Sequence, residues 1–239
     1  MKTKLVFLSI AATIILFSSC NISGVTGNKN VMKQAREVTE NFTSVKISEG
    51  INLYLSQKAN ISIVTETDEN IQEFLITEIK NGTLYIHFNK MIGKVKAKNV
   101  YVSMPEISKI TASSAADVKT ETRISSNELT ITASSGADIK AKIETTKLTC
   151  KSSSGADIDL SGTCETANFH ASSGADINAK ELNIENARAD ASSGGDISVF
   201  AVKSLTAKAS SGGDISYYGN PKQKNINSSS GGNINKRNK

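Results

Sequence analysis

The chain has no tryptophan, only two prolines, two histidines and three cysteines in 239 residues, and aromatic side chains make up 5% of it. Each scarcity removes a class. Without tryptophan and with few aromatics, there is no obvious platform for stacking sugar rings. Two histidines, His87 and His170, lie far apart and have no metal-ligand spacing, and His170 falls on an outward, polar position. Three cysteines are too few for a disulfide framework. Arginine is confined to Arg36, Arg123, Arg188 and Arg237, so no basic stripe with interleaved aromatics marks a nucleic-acid surface. No nucleic-acid partner is expected.

The first nineteen residues read as an export signal. Lys2 and Lys4 precede an apolar run from Leu5 to Phe17 that is too short to span a bilayer as a mature helix. It ends in Ser18-Ser19-Cys20, which resembles a bacterial lipobox. That resemblance implies cleavage before Cys20 and lipid attachment at its thiol; the alternative is an ordinary secretory peptide that contains a cysteine. Two or three acyl chains hold a protein stably at a membrane. The expected partner of the chain is therefore the membrane, and the expected location is the cell envelope, anchored at the outer membrane. No acidic residue follows Cys20 in Asn21-Ile-Ser-Gly-Val-Thr-Gly27, so a periplasmic face is at least as well supported as the cell surface. Lys2 and Lys4 carry two of the five formal positive charges, leaving about +3 on the mature chain. Residues 20–38 read as a lipidated polar tether.

What the chain has in abundance is a repeat. ASSAADV at 112–118 is followed by ASSGADI at 133–139, SSSGADI at 152–158, ASSGADI at 171–177, ASSGGDI at 191–197, ASSGGDI at 209–215 and SSSGGNI at 228–234. The aligned residues are Asp117, Asp138, Asp157, Asp176, Asp196, Asp214 and Asn233, at gaps of 21, 19, 19, 20, 18 and 19. A short, regular period of this kind signals a solenoid. Within each period apolar and polar residues alternate strictly, as in Ala137-Asp-Ile139-Lys-Ala141-Lys-Ile143, which is the mark of half-buried strands. The fold class expected for residues 105–235 is therefore an all-β, right-handed parallel β-helix with coils of about nineteen residues. At ~4.8 Å per coil, seven coils make a rod of roughly 34 Å. Ser-Ser-Gly should turn the chain, with glycine supplying either an unusual dihedral or a close backbone approach.

Residues 39–104 are less regular. Strands are expected at 42–48, 51–56, 60–65, 83–88 and 99–103, with a hairpin turn at Asn81-Gly82 and a short helix within 68–79 capped by Asp68. This region either caps the N-terminal end of the solenoid or continues it with irregular coils. Residues 236–239 form a basic tail, and the polar end from Asn233 onwards should shield the last coil from end-to-end stacking.

Gly27-Asn28, Phe42-Thr-Ser-Val-Lys-Ile47, Asp68-Glu-Asn70, Asn81-Gly-Thr-Leu-Tyr-Ile86, Val100-Tyr-Val-Ser-Met-Pro105 and the serial SSGADI segments together resemble the "putative auto-transporter adhesin, head GIN" family over about residues 27–235. The resemblance implies a parallel β-helix in the cell envelope and a binding or adhesive module, with a protein or glycan as ligand. It brings no reaction and no catalytic residue.

The aspartate column needs an account. Adjacent carboxylates ~4.8 Å apart repel by roughly 3.5 kcal/mol at a dielectric near 20 and by about 1 in water. Either a hard cation such as Ca²⁺ offsets this, or each carboxylate accepts hydrogen bonds from serine hydroxyls and backbone N–H groups. Asn233 keeps the acceptor and drops the charge, which favours the turn-ladder reading with no metal and no cofactor. Cys150 shares a core column with Ile131 and Phe169 and reads as an inert buried thiol, and Cys164 follows a turn at Gly162, so a disulfide between the two is not favoured. β-Helices also host polysaccharide-degrading enzymes, but those need a local cluster that breaks the repeat. The uniform aspartates do not supply one, so the chain is not expected to be an enzyme. A purely structural envelope role is the remaining alternative.

Overall fold

The computed structural model describes residues 24–238. The proposed signal segment, 1–19, and Cys20 lie outside the described residues. Seven strands come from the N-terminal region: β1 (Val31–Arg36), β2 (Ser44–Ile47), β3 (Asn52–Gln57), β4 (Ser62–Asp68), β5 (Leu75–Lys80), β6 (Thr83–Phe88) and β7 (Lys98–Met104). The repeat supplies β8 (Lys109–Ala112), β9 (Asp117–Thr120), β10 (Ile124–Ser134), β11 (Asp138–Ser153), β12 (Asp157–Ser172), β13 (Asp176–Ser192), β14 (Asp196–Ala209), β15 (Asp214–Tyr218), β16 (Gln223–Ser228) and β17 (Asn233–Lys236).

Every strand from β8 onwards pairs in parallel with its equivalent one repeat away, with like residue on like residue: Ile139 on Ile158, Ile158 on Ile177, Ile177 on Ile197 and Ile197 on Ile215. The result is a parallel β-solenoid of about seven coils, as the repeat predicts. Each of β11 to β14 continues past a corner as one strand. In β11 the inward residues are Ile139, Ala141 and Ile143 before the corner and Leu148 and Cys150 after it. Each coil thus presents two flat runs to one narrow core.

The chain turns back sharply at Ser-Ser-Gly. The two central residues both have positive φ, +54° at Ser135 and +67° at Gly136, and the N–H of Ala137 donates to Ser134 O at 3.3 Å. This is the two-residue turn with mirror-image dihedrals. A Cβ on Gly136 would meet nothing within 4 Å, so its role is the dihedral alone. Close approach is served by a different glycine. A Cβ on Gly195 would lie 2.6 Å from the carbonyl carbon of Ala171, in the coil before. Successive turns are stitched together by the N–H of Gly136 donating to Ser154 O and that of Gly155 to Ser173 O, at 3.1 and 3.2 Å. Only small residues fit inside beside the turn, such as Ala133 and Ala137 or Ala171 and Ala175, while Ile, Leu and Phe fill the space farther away. Phe169 lies in register between Cys150 and Ala189, and its bulk fills what those small neighbours leave. This packing matters in an interior that tolerates few voids.

The N-terminal region both continues the solenoid and caps it. β2 and β3 form an additional coil joined by Ser48-Glu49-Gly50-Ile51, whose Glu49 and Gly50 have φ of +65° and +64°, the same turn under a different sequence. That coil is laid between two others: β2 pairs with β6 on one side and β8 on the other, and β3 pairs with β7 and β9. The outermost edges are then covered by antiparallel strands. β5 covers β6, β4 covers β7, and β1 covers β4. Asn81 and Gly82, with φ of +51° and +69°, make the expected hairpin turn between β5 and β6.

Three expectations need correction. Residues 31–36, read as part of a tether, form β1, because Met32 to Arg36 pair with β4 and the Arg36 guanidinium donates to Gln72 O at 2.7 Å. The helix expected within 68–79 is one 3-10 turn, Glu69–Ile71, followed by β5; its β-branched residues, Ile76, Thr77 and Ile79, favour the sheet. Asp68 caps nothing with its side chain. It is buried, and its carboxylate accepts the backbone N–H groups of Lys29 and Lys96. Finally, Lys236 belongs to β17 and not to a free tail.

Candidate functional site

The aspartates form one continuous file. Asp117, Asp138, Asp157, Asp176, Asp196, Asp214 and Asn233 are ladder partners in succession, all outward and exposed at the first position after each turn. Their backbone N–H groups are spent on the ladder, as where Asp138 donates to Ala116 O at 2.9 Å. The proposed serine bonds are not there. Among the described residues no serine hydroxyl donates to these carboxylates, and the backbone donor found is the N–H of Asp214 toward Asp196. The column stands exposed at the surface, which brings the repulsion toward the lower, aqueous figure of about 1 kcal/mol per pair. Partial burial first, and neighbouring aspartates second, raise the pKa of Asp138 and Asp176, and of Asp196 likewise. Among the described residues no group of three His, Cys, Asp or Glu is placed to hold a metal ion.

The file has a continuation that the repeat does not reveal. Asn52 pairs with Asp117, and Asn99 with Asn52. The Asn52 amide donates to Asn99 Oδ1 at 2.9 Å, and the Asn99 amide donates to Glu66 at 2.9 Å. Beside these amides Tyr54 and Tyr101 stack, centroids 5.0 Å apart, with the Lys33 ammonium 5.0 Å from the Tyr101 ring centroid. The Tyr101 hydroxyl donates to Glu66 at 2.7 Å, which pushes its pKa up to about 12, while the bonds from Asn99 and Tyr101 lower that of Glu66.

An open concavity lies elsewhere, at the second corner of the coils, opposite in sequence to the Ser-Ser-Gly turns. It is an open groove of about 890 Å³ running across seven coils, from Thr43, Glu106 and Ser108 through Asn127, Glu144 and Thr163 to Glu185 and Val202. Its lining keeps regular register through β10, β11 and β12, and the repeat loses its regularity only in the later coils. The ladder slips between Asp159 and Ser161, and again beyond Ala179 and Ile184, as the coils of 20 and 18 residues are accommodated. Five carboxylates line the groove, from Glu106, Glu128, Glu144, Glu165 and Glu185, together with serine, threonine and asparagine side chains, and no basic residue does. Three of the carboxylates reach outward to cations: Glu144 to Arg123 at 3.2 Å, Glu128 to Lys147 at 2.9 Å and Glu185 to Lys203 at 2.7 Å. Such exposed pairs hold geometry more than they add stability. Cys164 lies in the floor, buried, its thiol donating to Thr166 O at 3.2 Å and its pKa pushed up to about 11 by burial. Cys150 is buried in its core column, and the two cysteines are not bonded to each other.

The sequence signals located the aspartate file but not the groove, because the groove is lined by corner residues outside the Ser-Ser-Gly-Ala-Asp-Ile segments. A family model for "putative auto-transporter adhesin, head GIN domain" matches residues 41–221 of the chain, which span the inserted β2–β3 coil, the six aspartates of the file and all but the last coil. The chain belongs to this family. Solved structures show the same head GIN fold. A protein described as a putative adhesin from Bacteroides fragilis is 22% identical, covers 90% of this chain and 100% of its own, and superposes with a TM-score of 0.84. A putative adhesin from Parabacteroides merdae is 18% identical, with coverage of 89% and 98% and a TM-score of 0.72. A protein from Parabacteroides distasonis described as a putative lipid binding protein is 20% identical, with coverage of 88% and 99% and a TM-score of 0.71. At these identities the likeness establishes the fold alone. No curated protein matches the chain. Head GIN membership places it among adhesin-like proteins of the cell envelope.

Proposed function

We propose that this head GIN protein is a non-catalytic binding module of the cell envelope, lipid-anchored through Cys20, and that the lateral groove is its contact surface. The observation that carries the reading is the groove itself: a concave site of about 890 Å³ lined by carboxylates and hydroxyl groups with no cation among them. Ligand sites are concave with a few convergent polar groups. This lining suits a polar ligand bearing hydroxyls or amines, as in a glycan with amino sugars, and is a poor match for an acyl chain. The aspartate file serves as scaffold in this reading.

Glycan-array binding of the purified protein tests it. Sugars with free amines should score above neutral ones. Glu144→Gln combined with Glu165→Gln should weaken that binding severalfold, while Asp157→Asn leaves it unchanged. A flat array profile, or binding indifferent to the groove changes, would return the protein to a purely structural envelope role.

A further inference from the structure

The two ends of the rod differ from its middle in charge. After Asp214 the chain has no acidic residue, and Lys222, Lys224, Lys236 and Arg237 make its far end basic. At the N-terminal end the connection between β6 and β7, Asn-Lys-Met-Ile-Gly-Lys-Val-Lys-Ala at 89–97, carries Lys90, Lys94 and Lys96 and no acid. What sets the second patch apart is its neighbour. The N–H of Val25 donates to Met91 O, that of Gly93 to Val25 O and that of Gly27 to Lys94 O, each at 2.9 Å. The connection is therefore bonded, residue by residue, to the segment that leads in from Cys20. Gly24 is four residues from that cysteine, at most ~14 Å of extended chain.

We propose that this connection, with Lys29, is a membrane-docking face that takes anionic lipid headgroups. The face is built to hold its shape. The buried Asp68 carboxylate accepts the N–H groups of both Lys29 and Lys96, and so fixes the backbone on either side. The Lys29, Lys94 and Lys96 side chains are exposed. Lys90 is already engaged, its ammonium 4.4 Å from the Phe74 ring centroid. Met91 is 57% exposed, more than any other large apolar residue described, and stands between the lysines as an apolar contact for the headgroup–acyl boundary. The acidic side chains at hand are the buried Asp68 and the exposed Glu69, which accepts the Asn28 and Asn30 amides, against Lys29, Lys90, Lys94 and Lys96, so the patch is net positive. A lipid chain supported by a basic patch is a recognised two-signal arrangement for membrane attachment. Docked this way, the rod stands on its sealed end with its open end roughly 43 Å farther out, counting the β6–β7 and β2–β3 coils with the seven of the repeat.

The direction of docking rests on the Cys20 anchor, but the face can be tested without it. A chain starting at Asn21 keeps every strand of the fold. It is sedimented with vesicles of phosphatidylcholine alone and of phosphatidylcholine mixed with phosphatidylglycerol. It should partition to the mixed vesicles, and Lys29→Glu, Lys94→Glu and Lys96→Glu together should reduce this at least tenfold with an unchanged melting temperature, given the contribution of each lysine near an anionic surface. Lys222→Glu with Lys224→Glu and Lys236→Glu, at the other end, should change it little. Equal partitioning to both vesicle types, or loss of binding only in the far-end variant, overturns the proposal. Radiolabelled palmitate incorporation into the full chain, with and without Cys20→Ala, reports on the anchor separately, so a missing label sinks the anchor and leaves the face standing.

Discussion

Asn52 lies across the ladder from Asp117, one coil nearer the N-terminus, and ends the carboxylate file in an amide on that side as Asn233 does on the other. The file is thus a bounded run of six charges, and its interior members carry its electrostatic cost. Asp138, Asp176 and Asp196 have folded-state pKa values above the ordinary aspartate value of about 3.9. A carboxyl with a raised folded pKa binds its proton more readily in the folded state. Its contribution to stability is then fully present below the unfolded value and is lost as pH rises through the folded one. Replacing all three by asparagine should stabilise the protein at pH 7, on the order of 0.5–1 kcal/mol after solvent screening. The advantage should shrink as pH falls toward 4. Urea denaturation at pH 7 and pH 4.5 measures it. A variant less stable than wild type at pH 7 would mean the carboxylates make bonds that offset their repulsion.

Ile177 is 1% exposed and stacks between Ile158 and Ile197. Ile177→Asp puts a carboxyl where no donor waits, at a cost of roughly 3–5 kcal/mol. Because stability in stacked coils is shared mainly between neighbours, the loss should be local before it is global. Hydrogen exchange should rise first in the coils that hold Ile158, Ile177 and Ile197. Uniform loss of protection would instead show a single cooperative unit.

Gly136 and Gly195 separate two uses of glycine. Gly136→Ala faces open space but must adopt positive φ, at roughly 1–2 kcal/mol. Ala115 occupies the equivalent place in the first coil at φ +59°, so the fold survives that strain. Gly195→Ala drives a methyl to 2.6 Å from the Ala171 backbone and should push two coils apart, for roughly 1–3 kcal/mol and a less cooperative transition. Thermal melts of the two variants decide it; if Gly195→Ala is the milder change, the inter-coil backbone is softer than its spacing implies.

Asp68→Ala would leave the N–H groups of Lys29 and Lys96 without their acceptor. The expected loss is about 1–3 kcal/mol. Exchange should quicken at residues 24–30 and 93–97, with the repeat coils unaffected. Asp68→Asn keeps one acceptor oxygen and should restore only part of the protection.

Alternation made the repeat coils legible. Ile139, Ile158 and Ile177 had to share a face, and Asp138, Asp157 and Asp176 had to share the other, once the period was known. Periodicity says which face a residue takes but not which strand lies beside it. The insertion of the β2–β3 coil between β6–β7 and β8–β9 leaves no such trace. Its turn, Ser48-Glu49-Gly50-Ile51, uses the dihedrals of the repeat without its letters. β1 was hidden because its side chains are mostly exposed and its stability comes from the β4 ladder and the Arg36 bonds, neither of which shows as an apolar pattern. The groove was illegible for a related reason: its glutamates sit at corner positions outside the repeated segments and look like ordinary surface charge.

The rod is sealed at one end by three antiparallel strands, while among the described residues β16 and β17 at the other end each have a neighbour on one side only. Growth is therefore polar. Duplication of a nineteen-residue segment within the repeat inserts one more coil, lengthens the rod by ~4.8 Å and carries the far tip outward without disturbing the end that holds β1, β4 and β5. Reach from the sealed end can change in fixed steps under simple gene duplication, while that end stays as it is.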